Sequence, residues 1–230
     1  MAFSEKIISF LKDLEYKGSL PEGISIMNPF RDDPQVMPVI TRFYSKYYND
    51  ENQRHLILGI NPGRFGAGVT GIPFTDTRRL AEKCGIFISG IQTFEPSSAF
   101  IYEMIETFGG PELFYSHFYI SAISPLGFTT PGGKGRDVNF NFYDNKKLAE
   151  LVYDFMRVSL EKQLEFGIIR DVCFCLGAGK NYRFLDELNS RFHYFSKIIP
   201  LEHPRFVIQY KSKQKQYYIS KYVDEFRKVL

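Results

Sequence analysis

Four short apolar runs, well separated along the chain, constrain the fold more than any other feature of this sequence. They are His55–Ile60 (HLILGI), Phe118–Ile123 (FYISAI), Val172–Leu176 (VCFCL) and Phe195–Pro200 (FSKIIP), each with the length and composition of a buried strand. The segments between them carry helical periodicity instead. Leu148, Leu151, Val152 and Phe155 mark one helix, and Tyr218, Ile219, Tyr222, Val223, Phe226, Val229 and Leu230 form an apolar stripe along the last. Shorter helices are predicted at Arg78–Cys84, Ser98–Phe108 and Lys180–Phe192. The N-terminal part reads as helical over Phe3–Leu14 and Gln35–Tyr48, joined by a Pro/Gly-rich turn. Strands alternating with helices predict an α/β layer fold around a largely parallel sheet.

A content of 44% hydrophobic and 24% charged residues is that of a globule able to bury a core, which excludes a disordered chain. No apolar run is long enough to predict a membrane span, and residues 1–20 lack the core of a signal peptide. With no linker or repeat, the 230 residues are read as one domain, residues 1–54 forming a helical part packed upon it. Three cysteines are too few for a disulfide framework, so a reduced, cytoplasmic protein is expected. Cys173 and Cys175 lie two apart on a predicted strand with no neighbouring ligands, and read as small core residues rather than a metal pair. The net charge of +3 hides an asymmetry. From His203 onward, Arg205, Lys211, Lys213, Lys215, Lys221, Arg227 and Lys228 face only Asp224 and Glu225. A basic segment on a balanced protein suggests a local phosphate site.

In parallel sheets, ligands sit at the carboxyl ends of the strands. That rule selects Gly59–Asp76, Ser124–Asp144, Gly177–Lys180 and Leu201–Gln209. The two long segments about 61–77 and 127–144 read as irregular, and loops of such length are usually functional. The first begins GINPGRFGAGVTGIPF. Its glycines let backbone approach a ligand, and Asn61 and Phe74 add an amide and a ring, a set suited to a flat polar heterocycle. It is neither a Walker loop nor the Rossmann fingerprint, because no Lys-Ser/Thr follows and the glycine spacing is wrong. Gly177–Lys180 (GAGK) reads as a strand-to-helix turn. Asp76 reads as the N-cap of the helix that follows it, and the Asp76 and Asp144 carboxylates show no spacing that demands an acid/base pair.

The Gly59–Phe74 segment resembles the first signature of the single-strand-selective monofunctional uracil-DNA glycosylases (the SMUG branch of the uracil-DNA glycosylase superfamily), G-M-N-P-G-P-F-G-M-x-x-T-G-V-P-F. His203-Pro204 occupies the place of the superfamily's second signature, and FYISAISPLGF (118–128) resembles its intermediate strand. The match spans roughly residues 55–230. The ending HPRFVIQY and the N-terminal helices resemble a bacterial SMUG-like group. The resemblance implies a three-layer α/β/α sandwich with a short, mainly parallel four-stranded central sheet. It also implies a monofunctional hydrolase that flips uracil out of DNA, cuts the N-glycosidic bond and leaves an abasic site.

By that resemblance, Phe74 stacks on the flipped base. Asn61, with backbone of Pro62 and Gly63, holds the attacking water, and His203 donates to the charge developing on uracil O2, as imidazole or imidazolium. Arg205 and Phe206 stand where a wedge fills the gap in the duplex, with Phe206 in the core as the other possibility. Lys211, Lys213 and Lys215 stand where phosphates pass. One departure matters: the family's base-reading Asn aligns with Ala122, which can read nothing. Ser121 or Ser124 offers a hydroxyl that both donates and accepts, which implies a broader range of deaminated bases, xanthine among them. Asn139 and Asn141 read chiefly as turn formers, with a reach to the pocket or the DNA strand as the alternative. No metal or organic cofactor is implied, and DNA acted on by a monomer is the expected partner. A damage-binding protein without catalysis, and a nucleotide-binding enzyme using the glycine loop, remain open as alternatives.

Overall fold

The computed structural model describes residues 1–230 except the side chain of Lys134. In chain order the elements are α1 (Phe3–Lys12), β1 (Ser25–Met27), α2 (Pro29–Asp32), α3 (Val36–Tyr47), β2 (Arg54–Gly59), α4 (Ala67–Thr70), α5 (Thr77–Cys84), α6 (Pro96–Phe108) and α7 (Pro111–His117). They continue with β3 (Phe118–Ala122), β4 (Gly127–Pro131), β5 (Asp137–Phe140), α8 (Lys146–Leu164), β6 (Ile168–Leu176), α9 (Lys180–Phe192), β7 (Lys197–Leu201), α10 (Pro204–Tyr210) and α11 (Lys215–Arg227).

The four apolar runs form one parallel sheet in the order β3-β2-β6-β7. Side-chain alternation along β3 separates the helical layers. Phe118 meets Phe108, Phe114 and Phe226 of α6, α7 and α11, whereas Tyr119 meets Phe3 of α1 and Gln163 of α8. The connection after β2 therefore runs over one face and that after β3 over the other. Where such connections part, a crevice opens between the strand ends.

The expected fold class holds, and several local expectations change. Residues 127–144 are not irregular: β1, β4 and β5 make a second, antiparallel sheet in the order β1-β4-β5. The exposed, Asp/Asn-bearing β5 lacks the apolar signature that would reveal it. The N-terminal turn likewise contains β1 and α2. β6 begins four residues early, its exposed Arg170 and Asp171 hiding the strand beside a register shift between His55 and Leu56. In α11 the stripe ends before Leu230, which is exposed, and Leu151 of α8 also faces solvent. Cys173 and Cys175 are buried in the core, as read. Asp76 caps α5, accepting from the Arg79 amide at 2.8 Å.

The N-terminal part is joined to the sheet by Arg54. Its guanidinium is wholly buried, donates to both Asp50 oxygens at 2.8 Å and to Tyr115 O at 2.8 Å, and lies 4.7 and 4.8 Å from the Phe3 and Tyr48 ring centroids.

Candidate active site

A cavity of about 380 Å³ opens at the carboxyl ends of β2 and β3, a size suited to a small planar ligand. Asn61, Pro62, Gly63, Phe74, Ala122 and His203 line it. Residues about 140 positions apart thus converge because β2 and β7 end on the same edge.

Asn61 is held from several sides. Its Nδ2 donates to Phe140 O at 3.2 Å and Pro62 O at 3.4 Å, and its Oδ1 accepts from the Phe142 amide at 3.4 Å. Phe74 sits at φ 52°, in the left-handed region that non-glycine residues rarely occupy. Such strain costs about 1–3 kcal/mol and persists where surrounding structure imposes it. Here the Thr70 hydroxyl donates to Thr75 O at 2.7 Å, closing the turn around the ring. The ring lies over Gly59, where a Cβ would stand 2.8 Å from Phe74 Cε2. Gly59→Ala is therefore expected to displace the ring, lowering kcat/KM at least tenfold and stability by about 1–3 kcal/mol, read by steady-state kinetics and thermal melting.

His203 follows β7 directly and caps α10: its Nδ1 accepts from the Arg205 amide at 3.2 Å. An acceptor nitrogen carries no proton, so Nε2 bears it. Burial first, and the Arg205 charge second, lower its pKa to about 4. The imidazole is a neutral donor at neutral pH, the alternative sequence left undecided. Its ring centroid lies 5.8 Å from that of Phe74.

The other expected residues are distributed unevenly. Ser121 lines the cavity, but Ser124 does not: it is fully buried with its hydroxyl donating to Leu126 O at 2.8 Å, which corrects its reading as a base contact. Arg205 and Phe206 stand at the mouth, and Phe206, 41% exposed, is not a core residue. Lys211 and Lys213 are exposed beyond α10, whereas Lys215 pairs with Glu103 at 2.6 Å. Asn139 is no turn former. It sits on β5 and accepts from the Arg64 amide at 2.9 Å, clamping the glycine loop, and both it and Asn141 reach the cavity. Asp144 instead pairs with Lys180. Among the described residues, no cluster of three or more His, Cys, Asp or Glu side chains is placed to hold a metal.

Glu95 is the site residue that sequence reading missed. It precedes α6, far from any motif, and no local pattern marks it. Asp76 accepts from its amide at 2.7 Å, and its carboxyl lies over the glycine loop, 2.0 Å from where a Cβ at Gly66 would stand. Burial chiefly, then the Asp76 charge, raise its pKa to about 7 despite Arg205. Such a group in a cleft marks a functional site. Between pH 4.5, the ordinary value, and about 7, the unfolded chain ionises while the folded one keeps its proton, so stability falls as pH rises. Glu95→Gln is expected to raise stability by about 1–2 kcal/mol at pH 8 and to change nothing at pH 4, as measured by thermal melting.

A short parallel sheet with this amide, ring and imidazole at its carboxyl edge is the architecture of a base-excising hydrolase, and the chain belongs to the uracil DNA glycosylase superfamily, whose family model matches residues 45–227. Comparison with curated proteins finds no match. Among solved structures, the chain is similar to wild-type SMUG2 of Pedobacter heparinus, with 53% identity and a TM-score of 0.97 over 100% of this chain and 98% of that one. The SMUG-like resemblance of the Gly59–Phe74 and His203-Pro204 segments is borne out, and with it an enzyme of the uracil-DNA glycosylase type. No helix among the described residues is long and apolar enough to cross a membrane.

Proposed function

We propose that this glycosylase extrudes uracil, and other deaminated bases with it, from DNA into the 380 Å³ cavity and hydrolyses the bond to C1′ there. Convergence of Asn61, Phe74 and His203 on one cavity carries this reading. Phe74 offers its ring to the base. The His203 Nε2–H donates to O2 as electrons of the breaking C1′–N1 bond pass into the base, a donor preorganised by its cap on α10. The Asn61 amide, already tied to Phe140, Phe142 and Pro62, retains an Oδ1 lone pair for water aimed at C1′. An amide takes no proton, so its part is positioning.

Arg205, Lys211 and Lys213 supply cations for phosphates beside the lesion, and Lys215 does so only by leaving Glu103. Phe206 enters the stack as a wedge, and Tyr210 beside it, at 5.5 Å between ring centroids and 66% exposed, widens that surface. We take the enzyme to act as a monomer, and in the cytoplasm, where its three buried thiols stay reduced.

Oligonucleotides carrying uracil, xanthine or hypoxanthine, followed by alkaline cleavage of abasic sites, test the reading. Release that disappears in Asn61→Ala and His203→Ala is expected. Undiminished release in both variants overturns the assigned roles.

A further inference from the structure

The cavity wall beyond Ala122 contains a proton arrangement that bears on which bases are accepted. Gln163 of α8 is fully buried. Its Nε2 donates to Ser159 O at 3.1 Å, which fixes the amide, since the reverse orientation sets oxygen against oxygen. Its Oε1 therefore faces β3, accepting from Ser121 Oγ at 2.6 Å and from Tyr119 OH at 3.3 Å. The single hydroxyl proton of Ser121 is thereby spent, and Ser121 is among the residues that line the cavity.

We propose that Ser121, its proton held by Gln163, presents only lone pairs to the bound base and so selects bases with a ring N–H at the edge they turn to it. The proposal deepens the reading of the cavity as a base pocket and rests on it. It also changes the expectation of an undiscriminating hydroxyl, because a serine whose proton is committed is an acceptor alone. The chemistry of deamination supplies the matching signal. Cytosine N3 and adenine N1 carry lone pairs, whereas uracil N3 and hypoxanthine N1 carry hydrogens. A lone pair set against Ser121 leaves two acceptors facing each other without water, an arrangement that costs more than a hydrogen bond gains. Guanine and thymine own such a hydrogen, so this device does not exclude them. Gln163 is a positioning residue here, acting through Ser121.

The test uses single-stranded oligonucleotides bearing 2′-fluoro-2′-deoxyuridine or 2′-fluoro-2′-deoxycytidine, which resist hydrolysis and remove base-pair strength from the comparison. Wild-type protein is expected to bind the uracil probe at least about tenfold more tightly than the cytosine probe, roughly one hydrogen bond's worth. Ser121→Ala should bring the ratio near unity while leaving affinity for abasic-site DNA unchanged. Gln163→Leu, which frees the Ser121 proton for donation, should shift the ratio further towards cytosine. A wild-type ratio retained in folded Ser121→Ala overturns the proposal, and this variant decides it alone if Gln163→Leu does not fold. Equal binding of the two probes by the wild type overturns it as well. Wild-type protein that releases no uracil from ordinary substrate overturns the base-pocket reading instead.

Discussion

His203→Ala is expected to lower single-turnover uracil release by about 10²–10³-fold, the usual loss when one preorganised donor to a developing anion is removed. Affinity for abasic-site DNA should change little, because the imidazole acts on the departing base. The tautomer sharpens the expectation. With Nδ1 committed to the Arg205 amide and the pKa lowered to about 4, the ring remains an Nε2–H donor across the range in which an ordinary histidine titrates. Nitrogen-15 spectra should show no titration of His203 between pH 5 and 8. The sign for stability follows. The unfolded histidine takes its proton near 6.5 and the folded one near 4, so this group's contribution is complete above 6.5 and declines as pH falls between those values. An imidazole that titrates near 6.5 in the folded protein would refute its holding the neutral form throughout that range.

Arg54→Ala should produce the largest loss of stability, about 3–5 kcal/mol, seen as a fall in Tm of roughly 6–20 °C. The guanidinium is inaccessible to water, and besides Asp50 and Tyr115 it donates to Asn52 O at 2.9 Å and Tyr47 O at 3.4 Å. Removing it strands those acceptors and leaves a cavity against the Phe3 and Tyr48 rings. Asp50, its carboxyl held below the ordinary range chiefly by hydrogen bonds from Arg54, would return to an ordinary carboxylate. Arg54→Lys should recover little, since an ammonium cannot reproduce a planar fork. An unchanged Tm in Arg54→Ala would mean that the N-terminal helices are not held to the sheet by this group.

Arg54 also shows where reading a linear sequence stops. It stood at the boundary drawn between the N-terminal part and the rest, as an ordinary charge before a strand. In the fold it is the joint between them, stacked on Phe3 from one end and bonded to Tyr115 from the middle. Glu95 has the same character, taking its meaning from Asp76 and a glycine loop brought beside it. Asn139 resembled a turn residue because β5 is short and exposed, and only pairing with β4 makes it a strand that reaches the site.

The strands of the central sheet, the longer helices between them and the Asn61 and Phe74 positions were legible directly, and His203 through the resemblance of His203-Pro204 to a family signature. Burial on both faces demands unbroken apolar runs, and a strand end that meets a ligand demands glycine, proline and one or two polar groups within a few residues. These are local requirements, written in adjacent letters. Tertiary structure alone decided the state of the protons: which nitrogen of His203 carries one, where the hydroxyl hydrogen of Ser121 points, and how long Glu95 keeps its own. A proton's place depends on the donors, charges and exclusion of water around it, and those neighbours come from segments that meet only when the chain is folded.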